Sequence, residues 1–255
     1  MRANTTKNLL KAGKPALGLF VSSGSQLTAE IVGGLGLDWV LIDLQHGENN
    51  LGNLSGMLQA VSLGGSTPYV RVAANDSTLI QRSLDLGAYG IVVPLVNTPE
   101  QAEAAVQAAK YMPRGQRSWG PIRGALYGGS DYFQNADEET SIIVMLETAE
   151  AATNAKAILA TPGVDGCLVG PNDLAISYGF PPEGSTGETL PPPVEAAIET
   201  ILAACANTNK APGIQLYSAE AANRRISQGF RFVGLGTELR LMRGAITSIL
   251  GAVNR

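Results

Sequence analysis

Eight short apolar runs, separated by stretches with helical periodicity, limit the folds open to this chain more than any other feature. They are ALGLFV from Ala16, WVLID from Trp39, PYVRV from Pro68 and GIVVPLV from Gly90. SIIVMLE follows from Ser141, GCLVGP from Gly166, PGIQLY from Pro212 and RFVGLG from Arg231. These runs are apolar almost throughout rather than at alternate positions. That pattern belongs to strands covered on both faces, as in a parallel sheet. Between them lie helix-formers. TPEQAEAAVQAAKYM opens with a Thr cap, a first-turn Pro and early acids, and SAEAANRRISQG has a Ser cap and a Gly stop. The Ala-rich stretches ETAEAATNAKAILA and PPVEAAIETILAACAN carry the same helical spacing. Strand and helix alternate eight times, which predicts a closed (β/α)8 TIM barrel. The alternative is an open doubly wound sheet, but neither GxGxxG nor a P-loop accompanies the first strand. No linker interrupts the pattern, so residues 1–255 are expected to form a single domain. The Pro/Gly-rich PPEGSTGETLPPP from Pro181 reads as a loop over one barrel end.

Composition narrows the partners. The net charge is −4, with no basic cluster, which argues against nucleic acid and anionic membranes. No run is long enough to span a bilayer, and the opening MRANTTKNLLKAGKP lacks a signal-peptide core. Cys167 and Cys205 form no disulfide framework, and Cys167 within GCLVG reads as a buried small hydrophobe. A cytoplasmic enzyme is expected.

In such a barrel, chemistry sits at the C-terminal ends of the strands. The second run ends in Asp43, followed by His46, the only histidine in 255 residues, and Glu48. The third contains Arg71, with Asn75 and Asp76 beyond it; the fifth ends in Glu147; the sixth enters GPND with Asp173; the eighth ends near Thr237 and Glu238. Each residue has a plainer explanation. His46 could be a surface-loop histidine, Arg71 one half of a structural ion pair, and Asp173 a helix cap. Together at one barrel end, they point to a site. Two carboxylates in oxygen-rich surroundings suit Mg²⁺ or Mn²⁺ rather than zinc. Schiff-base chemistry lacks its lysine: Lys110 and Lys156 lie in helices, Lys210 precedes the seventh run, and Lys7, Lys11 and Lys14 precede the barrel. Metal-assisted enolate chemistry remains, with Arg71 meeting developing negative charge and His46 moving a proton.

LIDLQHG, YVRV, RSLDLGAYGIVVPLV, PRGQRSWG, MLET and GVDGCLVGPNDLAISYG together resemble the HpcH/HpaI aldolases, the metal-dependent class II pyruvate aldolases, over nearly the whole chain. That resemblance implies cleavage of 4-hydroxy-2-oxo acids to pyruvate and an aldehyde. It implies a divalent ion on Glu147 and Asp173, with Mg²⁺ first and Mn²⁺ or Co²⁺ as alternatives. It implies His46 as general base, Arg71 at the enolate oxygen and Asp85 as the acid that raises the histidine's basicity, a role Asp43 is placed to share. The carboxylate of a small 2-oxo acid would meet backbone N–H groups at Gly170, Pro171, Asn172 and Asp173, Pro171 contributing only its place in the turn. A homo-oligomer, usually a hexamer exchanging its last helix, is implied as well.

The chain departs from the family in two places. Met145 stands where family members often carry a substrate-binding glutamine, and Asn172 where alanine is common. Methionine cannot donate that hydrogen bond, so the pocket is expected to be more apolar or rearranged. WGPIRGALYGGSDYFQN, with Arg123, reads as an active-site flap and is similar to a stretch of macrophomate synthase, an enolate-coupling relative. Oxaloacetate decarboxylation or enolate coupling is therefore the alternative activity. A non-catalytic keto-acid-binding barrel is disfavoured because an unused buried carboxylate pair costs stability.

Overall fold

The eight runs form eight parallel strands: β1 (Ala16–Val21), β2 (Trp39–Asp43), β3 (Thr67–Arg71), β4 (Gly90–Val93), β5 (Ser141–Met145), β6 (Gly166–Leu168), β7 (Gly213–Gln215) and β8 (Phe232–Thr237). The computed structural model describes residues 1–182 and 190–253. Its hydrogen-bonded strand order is β6-β5-β4-β3-β2-β1-β8-β7. Bridges Gly166↔Ala211 and Val169↔Ile214 bring the two ends of that order together. The result is a (β/α)8 TIM barrel. Several runs outlast their strands. Residues 94–96, 146–147 and 216–217 lie past the strand ends, where the Leu146 and Leu216 N–H groups still donate to the Leu168 and Gly234 carbonyls, and they form the start of the mouth.

The outer layer consists of α2 (Gln26–Gly33), α3 (Leu51–Gly64), α4 (Ser77–Asp85), α5 (Pro99–Ala109), α8 (Ala149–Leu159), α10 (Pro192–Thr208) and α11 (Ala219–Gln228), while α12 (Glu238–Ala252) follows β8 with only Glu238 buried. Four further helices interrupt the simple alternation: α1 (Thr5–Lys11), α6 (Ile122–Gly128), α7 (Tyr132–Glu139) and α9 (Pro171–Ser177). The expected signals act as stops and starts. Thr98 accepts from the Gln101 N–H with Pro99 in the first turn, and Ser218 accepts from the Ala221 N–H. Gly229 closes α11 at φ 119°, a left-handed conformation open to glycine.

Strand alternation divides the core into two layers. Outward side chains such as Val40, Ile42, Val70 and Ile91 pack under the helices, while Trp39, Leu41, Tyr69, Ile143, Leu168 and Phe232 fill the barrel. Trp39 stacks on Phe232 with ring centroids 4.2 Å apart. Glycines on neighbouring strands make the room. A Cβ on Gly18 would lie 2.0 Å from the Trp39 ring, and one on Gly90 would lie 1.9 Å from the Tyr69 ring. This aromatic plug closes the barrel interior, so chemistry is confined to the strand C-termini.

The expected flap is elsewhere. Helix α5 has already returned the chain to the strand-start end, so the segment after it packs there. The Arg123 guanidinium donates to the Leu86 carbonyl, Tyr127 packs edge-on against Tyr89 just before β4, and the Gly128 carbonyl accepts from the Arg2 N–H. The segment therefore faces away from the mouth. The loop expected from Pro181 falls largely on residues 183–189, outside the described residues. No helix among the described residues is long and apolar enough to cross a membrane.

Candidate active site

Strand register builds the first element of the site. Asp43 and Arg71 are the last residues of adjacent strands and are paired in register. Alternation turns both inward. Arg71 donates from Nε to Asp43 Oδ1 at 2.9 Å and from Nη2 to Oδ2 at 2.7 Å, a two-pronged ion pair. Both side chains are buried. Burial pushes the Asp43 carboxyl up, but the hydrogen bond and charge of Arg71, with the Gln45 and His46 N–H groups, outweigh it and leave the pKa below its ordinary value. The fork occupies one edge of the guanidinium. Nη1 donates to Met145 Sδ at 3.9 Å, and Arg71 and Met145 both line the mouth cavity.

That cavity, of about 70 Å³, is lined by Arg71, Met145, Gly170, Asn172, Asp173 and Gln215 among others. Phe20 forms one wall, with the Arg71 guanidinium carbon 5.0 Å from its ring centroid. Glu147, just past β5, is 2% exposed. Its Oε1 accepts from the Leu95 N–H at 2.8 Å, and Leu95 is held at φ 53°, uncommon for a residue with a bulky side chain. A Cβ on Gly170 would come within 2.7 Å of Glu147 Oε2, so glycine there leaves that oxygen its space. Burial, reinforced by the charge of Asp173, raises the Glu147 pKa to about 7 against the pull of the Leu95 N–H and Arg71. Asp173 stands in the first turn of α9 and makes no side-chain cap; Gly170 is the N-cap.

Glu147 and Asp173 fit a hard divalent ion. A buried carboxylate raised this far needs a cation to stay ionised, and both donors are oxygens. Among the described residues there is no group of three or more His, Cys, Asp or Glu side chains that could hold a metal.

His46 is exposed on the loop after β2. The loop is braced through the backbone. Asp43 Oδ1 accepts from the N–H groups of Gln45 (3.0 Å) and His46 (3.3 Å), and the buried Asn49 amide donates to the Val21 and Asp43 carbonyls. No hydrogen bond or ion pair engages the imidazole among the described residues. Asp43 therefore places the loop but spends its carboxylate on Arg71. Asp85 is not brought to His46 within this chain. It ends α4 at the strand-start end of the barrel, where Arg117 Nη2 donates to its Oδ1 at 2.8 Å.

Two contributors, Asn49 and Gln215, escaped the sequence reading, and Glu238, noted at the end of the eighth run, has a bracing role. Asn49 braces the histidine loop. Glu238 accepts from the Ser22 and Ser23 N–H groups at 2.8 and 2.7 Å, tying α12 to the loop after β1. Gln215, inside an otherwise apolar run, lines the cavity itself. The one signal that could have found it was its strand-end position.

The Arg71–Asp43 ion pair, with Glu147 and Asp173 near it at the C-terminal mouth of a (β/α)8 barrel, marks the end where barrel enzymes carry out their chemistry. The HpcH/HpaI aldolase/citrate lyase model matches residues 16–245. The chain is 36% identical over 252 residues to 4-hydroxy-2-oxo-heptane-1,7-dioate aldolase of Escherichia coli, covering 96% of this chain and 93% of that one. It is 36% identical over 247 residues to hydroxypyruvate/pyruvate aldolase of Rhizorhabdus wittichii, covering 97% of each. A crystal structure of an HpcH/HpaI aldolase/citrate lyase family protein from Burkholderia cenocepacia J2315 aligns with a TM-score of 0.88 at 33% identity, covering 97% of this chain and 99% of that chain. The chain belongs to the HpcH/HpaI aldolase/citrate lyase family, and is an enzyme of the aldolase and lyase class.

Proposed function

We propose that this protein is a divalent-metal-dependent carbon–carbon lyase that cleaves 4-hydroxy-2-oxo acids to pyruvate, or a close relative of it, and an aldehyde. The observation that carries this reading is the buried Glu147, its pKa raised to about 7 by burial and by the charge of the exposed Asp173, at the same barrel mouth where Arg71 and Asp173 line the cavity. An ion held by Glu147 and Asp173, Mg²⁺ first, would act as a Lewis acid toward the substrate's 2-oxo group. Arg71 orients the substrate and meets the negative charge that grows on its C2 oxygen. Backbone N–H groups of the turn at Gly170–Asp173 receive its carboxylate. His46 takes the proton from the C4 hydroxyl. The C3–C4 bond then breaks, its electron pair passes into the C2–C3 enolate, and the new carbonyl leaves as the aldehyde. Protonation at C3 completes the product.

The unpartnered, exposed His46 favours a second reading, oxaloacetate decarboxylation or enolate coupling, which removes no hydroxyl proton. A panel of 4-hydroxy-2-oxo acids and oxaloacetate, assayed for pyruvate release with and without Mg²⁺, decides between them. Metal-dependent pyruvate release from the 4-hydroxy-2-oxo acids is expected. Turnover of oxaloacetate alone would select the second reading, and turnover of neither would reject both.

A homo-oligomer is part of this reading. It is supported by α12, on which Leu239, Leu241, Met242, Ile246, Ile249 and Leu250 are 41–65% exposed. Asp85 would then reach a His46 loop only from a neighbouring copy. The two free cysteines, both buried, support a cytoplasmic setting.

Glu147→Gln is expected to abolish Mn²⁺ binding measured by calorimetry; unchanged affinity would remove Glu147 from the ligand set. The same variant has a pH signature without metal. The native pKa of Glu147 lies above its ordinary 4.5, so between about 4.5 and 7 the native state holds a proton that the unfolded state has lost. Stability of the unsubstituted enzyme should therefore fall across that window as pH rises, and the melting temperature of Glu147→Gln should gain on it there. Parallel profiles would mean that Glu147 is not perturbed.

A further inference from the structure

Gln215 is the last residue of β7 and turns inward at the mouth. Its side chain is buried, the residue being 7% exposed, yet neither its Oε1 nor its Nε2 has a hydrogen-bond partner among the described residues. Stranding both ends of an amide is costly, so buried amides are almost always partnered. The barrel nevertheless makes room for this one. Gly234 lies opposite in register on β8, and a Cβ there would fall 1.8 Å from Gln215 Oε1. The amide borders the same cavity as Arg71, Met145 and Asp173. Met145 brings a thioether into that cavity from β5, which offers contact area but no donor. An amide unspent at both ends comes from the other side, on β7, in a cavity where Asn172 has only its Oδ1 unpartnered among the described residues.

The chemistry of that amide selects its ligand. It presents an acceptor at Oε1 and a donor at Nε2. A carboxylate accepts only and would leave Oε1 stranded. A methyl group answers neither end. A hydroxyl both donates and accepts, so one group can serve both. Resting on the lyase reading above, we propose that Gln215 recognises a hydroxyl on the 2-oxo acid, so that the site takes a hydroxylated 2-oxo acid of the hydroxypyruvate class in preference to pyruvate. Arg71 and the Gly170–Asp173 turn hold the features common to both acids, and Gln215 reads the substituent at C3.

The test compares hydroxypyruvate with pyruvate on the metal-loaded enzyme. In aldol addition to one common aldehyde, kcat/KM should favour hydroxypyruvate by at least about tenfold, and Gln215→Leu should reduce that ratio by at least about tenfold. A structural role alone would lower both values together and leave their ratio unchanged, which would overturn the proposal. Binding is read independently of turnover by the thermal shift each acid produces in the unsubstituted enzyme with Mg²⁺. The larger shift is expected with hydroxypyruvate, and equal shifts would overturn the proposal whether or not the variant folds. A clear binding preference with no turnover of either acid would uphold Gln215 as the hydroxyl reader while rejecting the lyase reading.

Discussion

His46→Ala should separate two activities that share one site. Retro-aldol cleavage requires a proton to leave the C4 hydroxyl, and His46 is the only imidazole in the chain. Loss of a general base typically costs about 10²–10⁴-fold, so aldol cleavage should fall by at least about 10²-fold. Decarboxylation of oxaloacetate breaks a carbon–carbon bond without removing that proton. In the proposed mechanism it draws on Arg71 and the carboxylate pair, which the substitution leaves untouched, so most of its rate should survive. The fold should survive as well, because the imidazole is exposed and the loop hangs on backbone bonds from Asp43 and Asn49. Steady-state assays of both reactions on the same preparation provide the measurement. An equal fall in both would mean that His46 shapes the site instead of moving the proton. No change in either would make the loop a bystander.

Arg71→Ala should lose both reactions together, and stability with them. In the proposed mechanism Arg71 meets charge that develops at the 2-oxo oxygen in either route, and removing one such donor typically costs about 10²–10³-fold. The structural effect comes from Asp43, which is 1% exposed and makes its side-chain ion pair with Arg71. Breaking a buried pair from one side costs about 3–5 kcal/mol, a fall in Tm on the order of 10 °C for a chain of this size. The pH dependence identifies the cause. With Arg71 present, Asp43 has a depressed pKa, so the pair's contribution is present above the ordinary value of 3.8 and is lost as pH falls through the native value. In the variant the carboxylate has lost its cation, and protonation relieves it. The gap between the two Tm values should therefore narrow on acidification below about pH 4. A constant gap would mean that the loss comes from packing alone. Arg71→Lys keeps a charge without the fork, and should restore stability more than activity.

The barrel was legible because its pattern is local. Eight near-continuous apolar runs and the cap residues Thr98 and Ser218 act through neighbours in sequence, and each appears as an element within a few residues of its expected place. Arg71 and Glu147 stood out for a similar reason. A charge at the end of an apolar run is costly wherever the chain takes it, so it signals a partner before that partner is known.

Partnership was not legible, because it depends on which residues meet across the barrel. Asp43 is three residues from His46 in sequence, but strand register sets it against Arg71, 28 residues away, and the ion pair takes its carboxylate. The resemblance pairs Asp85 with His46, but α4 carries it to the opposite end of this chain's barrel, to Arg117. The aromatic segment from Trp119 resembled a flap until the direction of α5 put it beneath the barrel. Gln215 looked like one polar residue in an apolar run. Its unmet amide exists only because β8 places Gly234 beside it and barrel closure brings β7 round to the cavity that Arg71 and Met145 share. Periodicity, capping and the cost of burying charge can be read along a chain; register, strand direction and closure arise between segments far apart in it, and they decided which charges are spent on each other and which remain for a substrate.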